Sequence, residues 1–418
     1  MDKNTRFVKL GCYASNITMS IVGNLSPLLF LTFRNLYGVS YSLLGMLVLI
    51  NFATQLSMDL LFSFFSHKFN IQKTVKLSPV LSIVGLLLFA AAPFLFPNAV
   101  YLGLSLGTVI FSASSGLNEV LLSPVIAALP SENPEREMSK LHSIYAWGVV
   151  AVVVFTTLFL LIFKSTRWYF LPVLFALVPL CALIFFFSSH LPHLDTPKRA
   201  SGAAAMLKNK TLLLCVFAIF LGGASEVTMA QWCSSYLEQA LGIDKVWGDI
   251  FGAAAFAVTL GLGRSLYAKY GNNIEKILFL SGIGATLCYA VCILSPLPIF
   301  GLIACALTGL CVAMMWPGCL VVSSARITTG GVFVYAMMAA GGDMGAALGP
   351  QLVGIVTDVV TTAPSAAAWA SGLGLTLEQL GMKFGLAIGA LFPLLSIFVF
   401  WRLWKKKPQD NPLPLAEK

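Results

Sequence analysis

Apolar runs of about twenty residues or more recur along the whole 418-residue chain, and that feature restricts the possible folds more than any other. A helix rises about 1.5 Å per residue, so about twenty residues cross a hydrocarbon layer about 30 Å thick. Membrane-crossing strands need only about ten residues and alternate apolar with polar positions. No such alternation is present. With 58% hydrophobic and 10% charged residues, the chain has too little polar surface to coat a water-soluble globule of its size. Lipid is therefore the expected solvent. Helices are the expected element, because they satisfy their own backbone groups.

Charges, Pro and Gly divide the runs into twelve predicted helices, near residues 7–33, 41–66, 74–96, 99–129, 139–163, 168–190, 211–238, 247–269, 274–294, 297–325, 330–360 and 378–404. The longest polar connection, 191–210, contains Lys198, Arg199, Lys208 and Lys210 and reads as a linker. It separates a first half, 1–190, from a second, 211–407, which is followed by a tail, 408–418. One side of the expected membrane receives Lys3, Arg6, Lys9, Lys68, Lys73, Lys76, Arg136, Lys140, the linker, Lys269, Lys276, Arg326 and Arg402 with Lys405–Lys407. The other receives only Arg34, Lys164, Arg167, Lys245 and Lys383. This asymmetry predicts a multi-pass protein of the cell membrane with both termini in the cytoplasm. The run after Lys9 is too long for a signal peptide and is read as a retained first helix.

The net charge of +9 resides in short loops, without a basic stripe interleaved with aromatics, so nucleic acid is not an expected partner. The nine Cys fall mostly inside apolar runs without metal-ligand spacing and read as packing residues. The sequence has no phosphate-binding loop, HExxH or nucleophile elbow, so neither ATP, a metal, a cofactor nor enzymatic chemistry is expected.

The halves share an internal repeat. KFNIQKTVKLSPVLSIVG follows the second predicted helix and KYGNNIEKILFLSGIGAT the eighth, so Ile71, Lys73, Leu77 and Ser78 match Ile274, Lys276, Leu280 and Ser281. GLNEVLLSP in the fourth helix and GLCVAMMWP in the tenth match Gly116, Leu117 and Pro124 to Gly309, Leu310 and Pro317. Two matches in the same order predict parallel six-helix halves.

On these residues the chain resembles the major facilitator superfamily. Gly263–Gly271 and Phe62–Lys73 are similar to that family's loop motif, and Gly349, Pro350, Gly354 and Asp358 are spaced as in many members. Where the family keeps a loop aspartate, this chain has Ser66 or His67 and Tyr267. The resemblance is nearer to the fucose permease branch of sugar and proton symporters. It rests on Glu119 and Pro124 in the fourth helix, His142–Gly148 (HSIYAWG) in the fifth, and Glu226 with Trp232 in the seventh. Pro27 stands where some members carry an acid in the first helix, so coupling through that helix is not implied. The resemblance implies an all-α membrane fold of twelve helices in two pseudo-symmetric bundles that rock about a central site.

Ionised side chains near a bilayer centre cost about 2.5–3.5 kcal/mol on insertion scales, which makes Glu119, Glu226 and Asp343 candidates for proton coupling. Each has a packing alternative. Glu119 could bond His142 or Asn118, Glu226 could bond Gln231 or Ser225, and Asp343 could tie helices within the small-residue run AAGGDMGAALG. His142 is either a sugar contact, as the resemblance implies, or a structural histidine. Tyr145, Trp147, Trp232, Trp316 and Tyr335 offer the aromatic faces that sugar rings prefer, or else packing. Asn24, Asn51, Gln55, Asn118 and Gln231 offer amides for a substrate or for core ties. Asp59 and Arg264 are read as gating or interhelical ion-pair residues, and Asp249 and Asp358 as solvated outer-end acids.

The expected function is uptake of a small polar metabolite, a sugar or polyol, by a monomer that symports protons. Two alternatives are an exporter of hydrophobic or cationic compounds and a non-transporting membrane sensor or scaffold.

Overall fold

The computed structural model describes residues 3–65, 69–130, 134–192, 209–295, 297–327 and 331–405, which contain helices and turns and no strand. Ser66, His67, most of the predicted linker and the predicted tail lie outside them. Among the described residues, eleven helices are long and apolar enough to cross a membrane, and a bent pair makes a twelfth span. The chain is an all-α, multi-pass membrane protein. Its residues cluster into two compact units, 1–39 with 50–198, and 40–49 with 199–418.

In the first unit the opening span is the bent pair, α1 (Lys3–Leu28) and α2 (Phe30–Tyr37), angled by 45°. Pro27 explains the bend, because it has no N–H to donate and its ring crowds the carbonyl one turn back. The span runs past the expected residue 33 to Tyr37, where Gly38 at φ 66° ends it with a left-handed cap. Then come α3 (Tyr41–Phe65), whose residues 41–49 belong to the second unit, α4 (Ile71–Leu95), α5 (Val100–Ala127) and α6 (Pro134–Phe163). The sixth span is two pieces, α7 (Phe170–Phe175) and α8 (Leu177–Phe187).

The seam between α4 and α5 is polar. The Ser78 hydroxyl donates to Asn118 Oδ1 at 2.6 Å and the Ser82 hydroxyl to Ser114 Oγ at 2.7 Å. Where the surroundings supply no water, such bonds replace solvation and fix the register of the two helices.

The second unit contains α9 (Lys210–Leu241), α10 (Lys245–Gly248), a π-turn (Asp249–Ala254), α11 (Ala255–Tyr270), α12 (Ile274–Leu294), α13 (Pro298–Val312), α14 (Met315–Arg326), α15 (Gly331–Thr362), α16 (Ala366–Gly372) and α17 (Leu377–Lys405). The run predicted as one helix over 297–325 is interrupted at Ala313 and Met314. Pro317 accounts for the break, since the carbonyl of Ala313 lies one turn before it and can accept no bond from its ring nitrogen.

The repeat has a physical counterpart in each unit. Asn70 accepts from the backbone N–H of Lys73 at 3.0 Å and starts α4, and Asn273 accepts from Lys276 at 3.1 Å and starts α12. These are N-caps at the matched positions of the two loop segments. The matched glycines are also equivalent. A Cβ on Gly116 would lie 2.9 Å from the Gln55 carbonyl oxygen of α3, and one on Gly309 would lie 2.2 Å from the Phe256 carbonyl oxygen of α11. Each glycine is where two spans of its own unit touch backbone to backbone.

Candidate functional site

Two polar clusters within the spans, one in each unit, contain candidate acids. In the first unit polar side chains form a ladder between α3 and α5. Asn51 Oδ1 accepts from the Ser112 hydroxyl at 2.5 Å and from Gln55 Nε2 at 3.1 Å, and Gln55 Oε1 accepts from the Ser115 hydroxyl at 3.0 Å. Residues four apart on a helix lie on one face, so the next rung sets Asp59 opposite Glu119. Contact of Gly116 with the Gln55 backbone and Met58 Cβ, both 2.9 Å from a built Cβ, brings the helices together at this level. The two carboxylates are close enough to interact electrostatically. Asp59 is 9% exposed, and its Oδ1 is buried without a hydrogen-bond partner. Glu119 is exposed along the helix surface. That corrects the reading of Glu119 as a buried acid bonded to Asn118, whose Oδ1 accepts from Ser78 instead.

In the second unit, Glu226 on α9 pairs with Arg264 on α11, with 3.3 Å between Oε1 and Nη2. Arg264 Nε also donates to the Ala313 carbonyl at 3.2 Å, the acceptor freed by the break between α13 and α14. One guanidinium thus joins three segments. Glu226 therefore does not tie to Ser225, whose hydroxyl bonds the Leu221 carbonyl. Its Oε2 remains buried without a partner, while the Arg264 side chain is 44% exposed. Past the break, the Trp316 ring fills the space over two glycines, because a Cβ would meet it at 2.9 Å from Gly223 and at 2.5 Å from Gly342. Asp343 follows Gly342 and is buried.

The remaining candidates are placed differently. Trp232 is fully buried, and its ring N–H donates to the Pro350 carbonyl at 2.9 Å. Gln231 is buried beside it in the chain. Asn24 is half-buried and donates back to the Ser20 carbonyl in its own helix at 2.9 Å. Tyr145 and Trp147 are exposed on α6, at 37% and 69%. Two residues apart on a helix, they point to different faces. The side chains of His142 and Tyr335 lie outside the described residues.

Two acids read as solvated are not. Asp249 is fully buried, accepts from the Ser234 hydroxyl, and pairs with Lys245 Nζ at 3.2 Å. The Asp358 carboxylate accepts from the backbone N–H groups of Tyr41 at 3.0 Å and Ser42 at 2.6 Å, a contact internal to the second unit. Residue reading also missed the serines of the α3–α5 ladder. Their signal was Ser112 and Ser115 recurring at a helical interval ahead of Glu119, on the helix whose Gly116 had already been singled out.

A family model described as Major Facilitator Superfamily matches residues 12–350. No curated protein matches by sequence. Among solved structures, a bacterial homolog of the human lysosomal transporter Spinster, in an inward-facing and occupied conformation, is 12% identical over 99% of this chain and all of its own, with a TM-score of 0.73. A D-xylose-proton symporter is 16% identical over 96% of this chain and 97% of its own, at 0.69. The E. coli fucose:proton symporter is 14% identical over 97% of this chain and all of its own, at 0.61. At these identities the structural likeness concerns the fold alone, whereas the family match spans most of the sequence: the chain belongs to the major facilitator superfamily.

Proposed function

We propose that the protein takes up a sugar or polyol by proton symport, as a monomer in the cell membrane with both termini in the cytoplasm. Its family makes it a transporter and not an enzyme. The observation that carries the finer reading is the display of carboxylates in the middle of spanning helices. Glu119 is exposed on α5, and Glu226 is held by an arginine with one oxygen unspent. Such groups are costly in lipid and can accept a proton or a hydroxyl hydrogen bond. Two of the structural neighbours are described as proton symporters of D-xylose and fucose, which supports the same substrate class. In this reading Glu119, Glu226 and Asp343 serve proton coupling. Asn24, Asn51, Gln55, Asn118, His142, Tyr145, Trp147, Gln231, Trp232, Trp316 and Tyr335 are the pool from which sugar contacts come. Asp59 and Arg264 gate, and residues 1–190 rock against 211–404.

The test is uptake of labelled D-xylose and fucose into proteoliposomes with an imposed pH gradient. Gradient-driven accumulation is expected, and Glu119→Gln should abolish it while sparing part of counterflow. Uptake indifferent to the gradient would refute symport. One observation favours a second reading, export of cationic compounds: the spans carry four acids, Asp59, Glu119, Glu226 and Asp343, and Arg264 pairs with Glu226. Efflux of a lipophilic cation, lost in Glu226→Gln, would support it.

A further inference from the structure

The α3–α5 ladder ends in a pair that its other rungs do not explain. Two rungs join a hydroxyl to an amide, and each closes with donor and acceptor matched. The third sets a carboxylate against a carboxylate. Asp59 is nine-tenths buried with an oxygen that finds no donor, and it faces Glu119 from a helix held at backbone contact by Gly116. Two like charges within electrostatic reach in a medium of low dielectric repel, and a single proton shared between them removes the repulsion.

Among the described residues, the lysines of the neighbouring helices are engaged elsewhere. On α1, Lys9 is 3.0 Å from Glu137 and the Tyr13 hydroxyl bonds the same carboxylate. On α6, Lys140 lies over the Tyr13 ring. On α4, Lys76 lies over the Phe187 ring, and the residues turned toward α5 are Ser78 and Ser82, both occupied. Among the described residues, none forms an ion pair with Asp59.

We propose that Asp59 and Glu119 form a dyad that holds one proton between them and serves as the coupling-ion site of the first unit. This deepens the symport reading and rests on it. It moves Asp59 from gating to coupling. The neighbouring oxygens decide between a proton and a sodium ion, which would require several oxygen ligands. Asn51 Oδ1 already accepts two hydrogen bonds and Gln55 Oε1 accepts one, so the ladder has a single amide lone pair to spare, fewer than a sodium ion needs. A proton needs only the two carboxylates. Bound, it neutralises one of the two carboxylates and gives the buried Asp59 side chain a hydrogen to donate. Released, it leaves two repelling charges, one of them on an exposed side chain that can move away.

The dyad can be read without any sugar. Infrared difference spectra of the full chain in lipid nanodiscs, titrated with pH in choline chloride, report carboxyl C=O bands. Removing either acid by Asp59→Asn or Glu119→Gln should move the titration midpoint of the other down by at least one pH unit, a tenfold loss of proton affinity. A midpoint unmoved in both variants overturns the dyad. So does competition when sodium replaces choline, because the ion would then be sodium. If one variant fails to fold, the other tests the same coupling from the opposite side. Coupled carboxyls in a protein that accumulates no sugar would refute the sugar reading and leave the dyad standing. Gradient-driven sugar uptake with independent carboxyls would do the reverse.

Discussion

Replacing Asp358 by Ala isolates one structural claim, that a carboxylate on α15 completes the first turn of α3. A helix start leaves its first N–H groups without intrahelical partners. Here the Ser40 hydroxyl takes Leu43 N–H at 3.3 Å, and Leu44 N–H bonds the Ser40 carbonyl at 3.0 Å. The two remaining N–H groups, on Tyr41 and Ser42, go to Asp358. Gly354 makes this possible, since a Cβ there would lie 2.3 Å from the Tyr41 carbonyl oxygen. Tyr41 is fully buried, so water cannot replace its partner, and an orphaned buried donor costs about 1–3 kcal/mol. Ser42 is half-buried and can be hydrated, so its loss resembles an ordinary N-cap deletion of about 0.5–1 kcal/mol. Asp358→Ala should therefore destabilise by about 2–3 kcal/mol, and Asp358→Asn, which keeps one acceptor, by about 1 kcal/mol. SDS titration in mixed micelles measures this, with a fluorogenic maleimide reading exposure of Cys215, Cys233 and Cys319, all buried in the second unit. If Asp358→Ala unfolds at the wild-type midpoint, the cap is not holding the helix and the account of α3 is wrong.

Three further expectations use the same titration. Arg264→Ala strips Glu226 and the Ala313 carbonyl of their shared donor and should cost about 2 kcal/mol, with Glu226→Gln in the same chain recovering part of it; an unaltered midpoint would show that the pair is idle. Gly345→Ala places a Cβ 2.1 Å from the Phe220 carbonyl oxygen, a backbone atom that cannot step aside, so overpacking of about 1–3 kcal/mol is expected between α9 and α15. Glu137 lies outside the spans, and its hydrogen bond with Lys9 holds its pKa below the usual carboxylate value. Because the folded value is depressed, its small contribution is complete above the usual carboxylate range and is lost only as the pH falls through the folded value. Glu137→Gln should thus lower stability at neutral pH by less than about 1 kcal/mol and converge with wild type in acid.

How far the fold could be read depended on whether a residue announces itself locally. Apolar length placed the spans, and α12 occupies the predicted residues 274–294, with Asn273 as its N-cap. Pro27 alone does not imply the bend at Leu29, because Pro within a lipid-embedded helix can bend it or leave it straight depending on its neighbours. The break at Ala313 was hidden for the same reason. Depth along a helix brought Glu119, Glu226 and Asp343 into view. It could not say which side chain each would meet, since partners arise from register between helices distant in sequence. Arg264 reached Glu226 from 38 residues away, and Asp358 reached Tyr41 from 317. Nothing within either sequence segment encodes those meetings.

The repeat makes the differences between the units informative. A duplicated scaffold has kept what holds spans at contact distance, Gly116 with Gly309 and the caps Asn70 with Asn273. It has not kept the charges. In the frame set by the matched glycines, Glu119 falls three residues past Gly116, where the second copy has Val312, the last residue before the break in the helix. The first unit thus has like charges on intact helices, and the second has an opposed pair beside a broken one. Protonation acts differently on the two. In the first it relieves repulsion, and in the second it releases Arg264 from Glu226 while the Ala313 carbonyl still holds the guanidinium. A single proton is therefore best kept in the first unit. The second is better suited to exchanging its ion pair for hydroxyl groups, since a hydroxyl can donate to Glu226 and accept from Arg264 without any change in charge. This argument moves Glu226 from proton coupling to substrate binding: neutralising Glu226 should weaken substrate binding more than it alters the pH dependence of transport, and neutralising Glu119 should do the opposite.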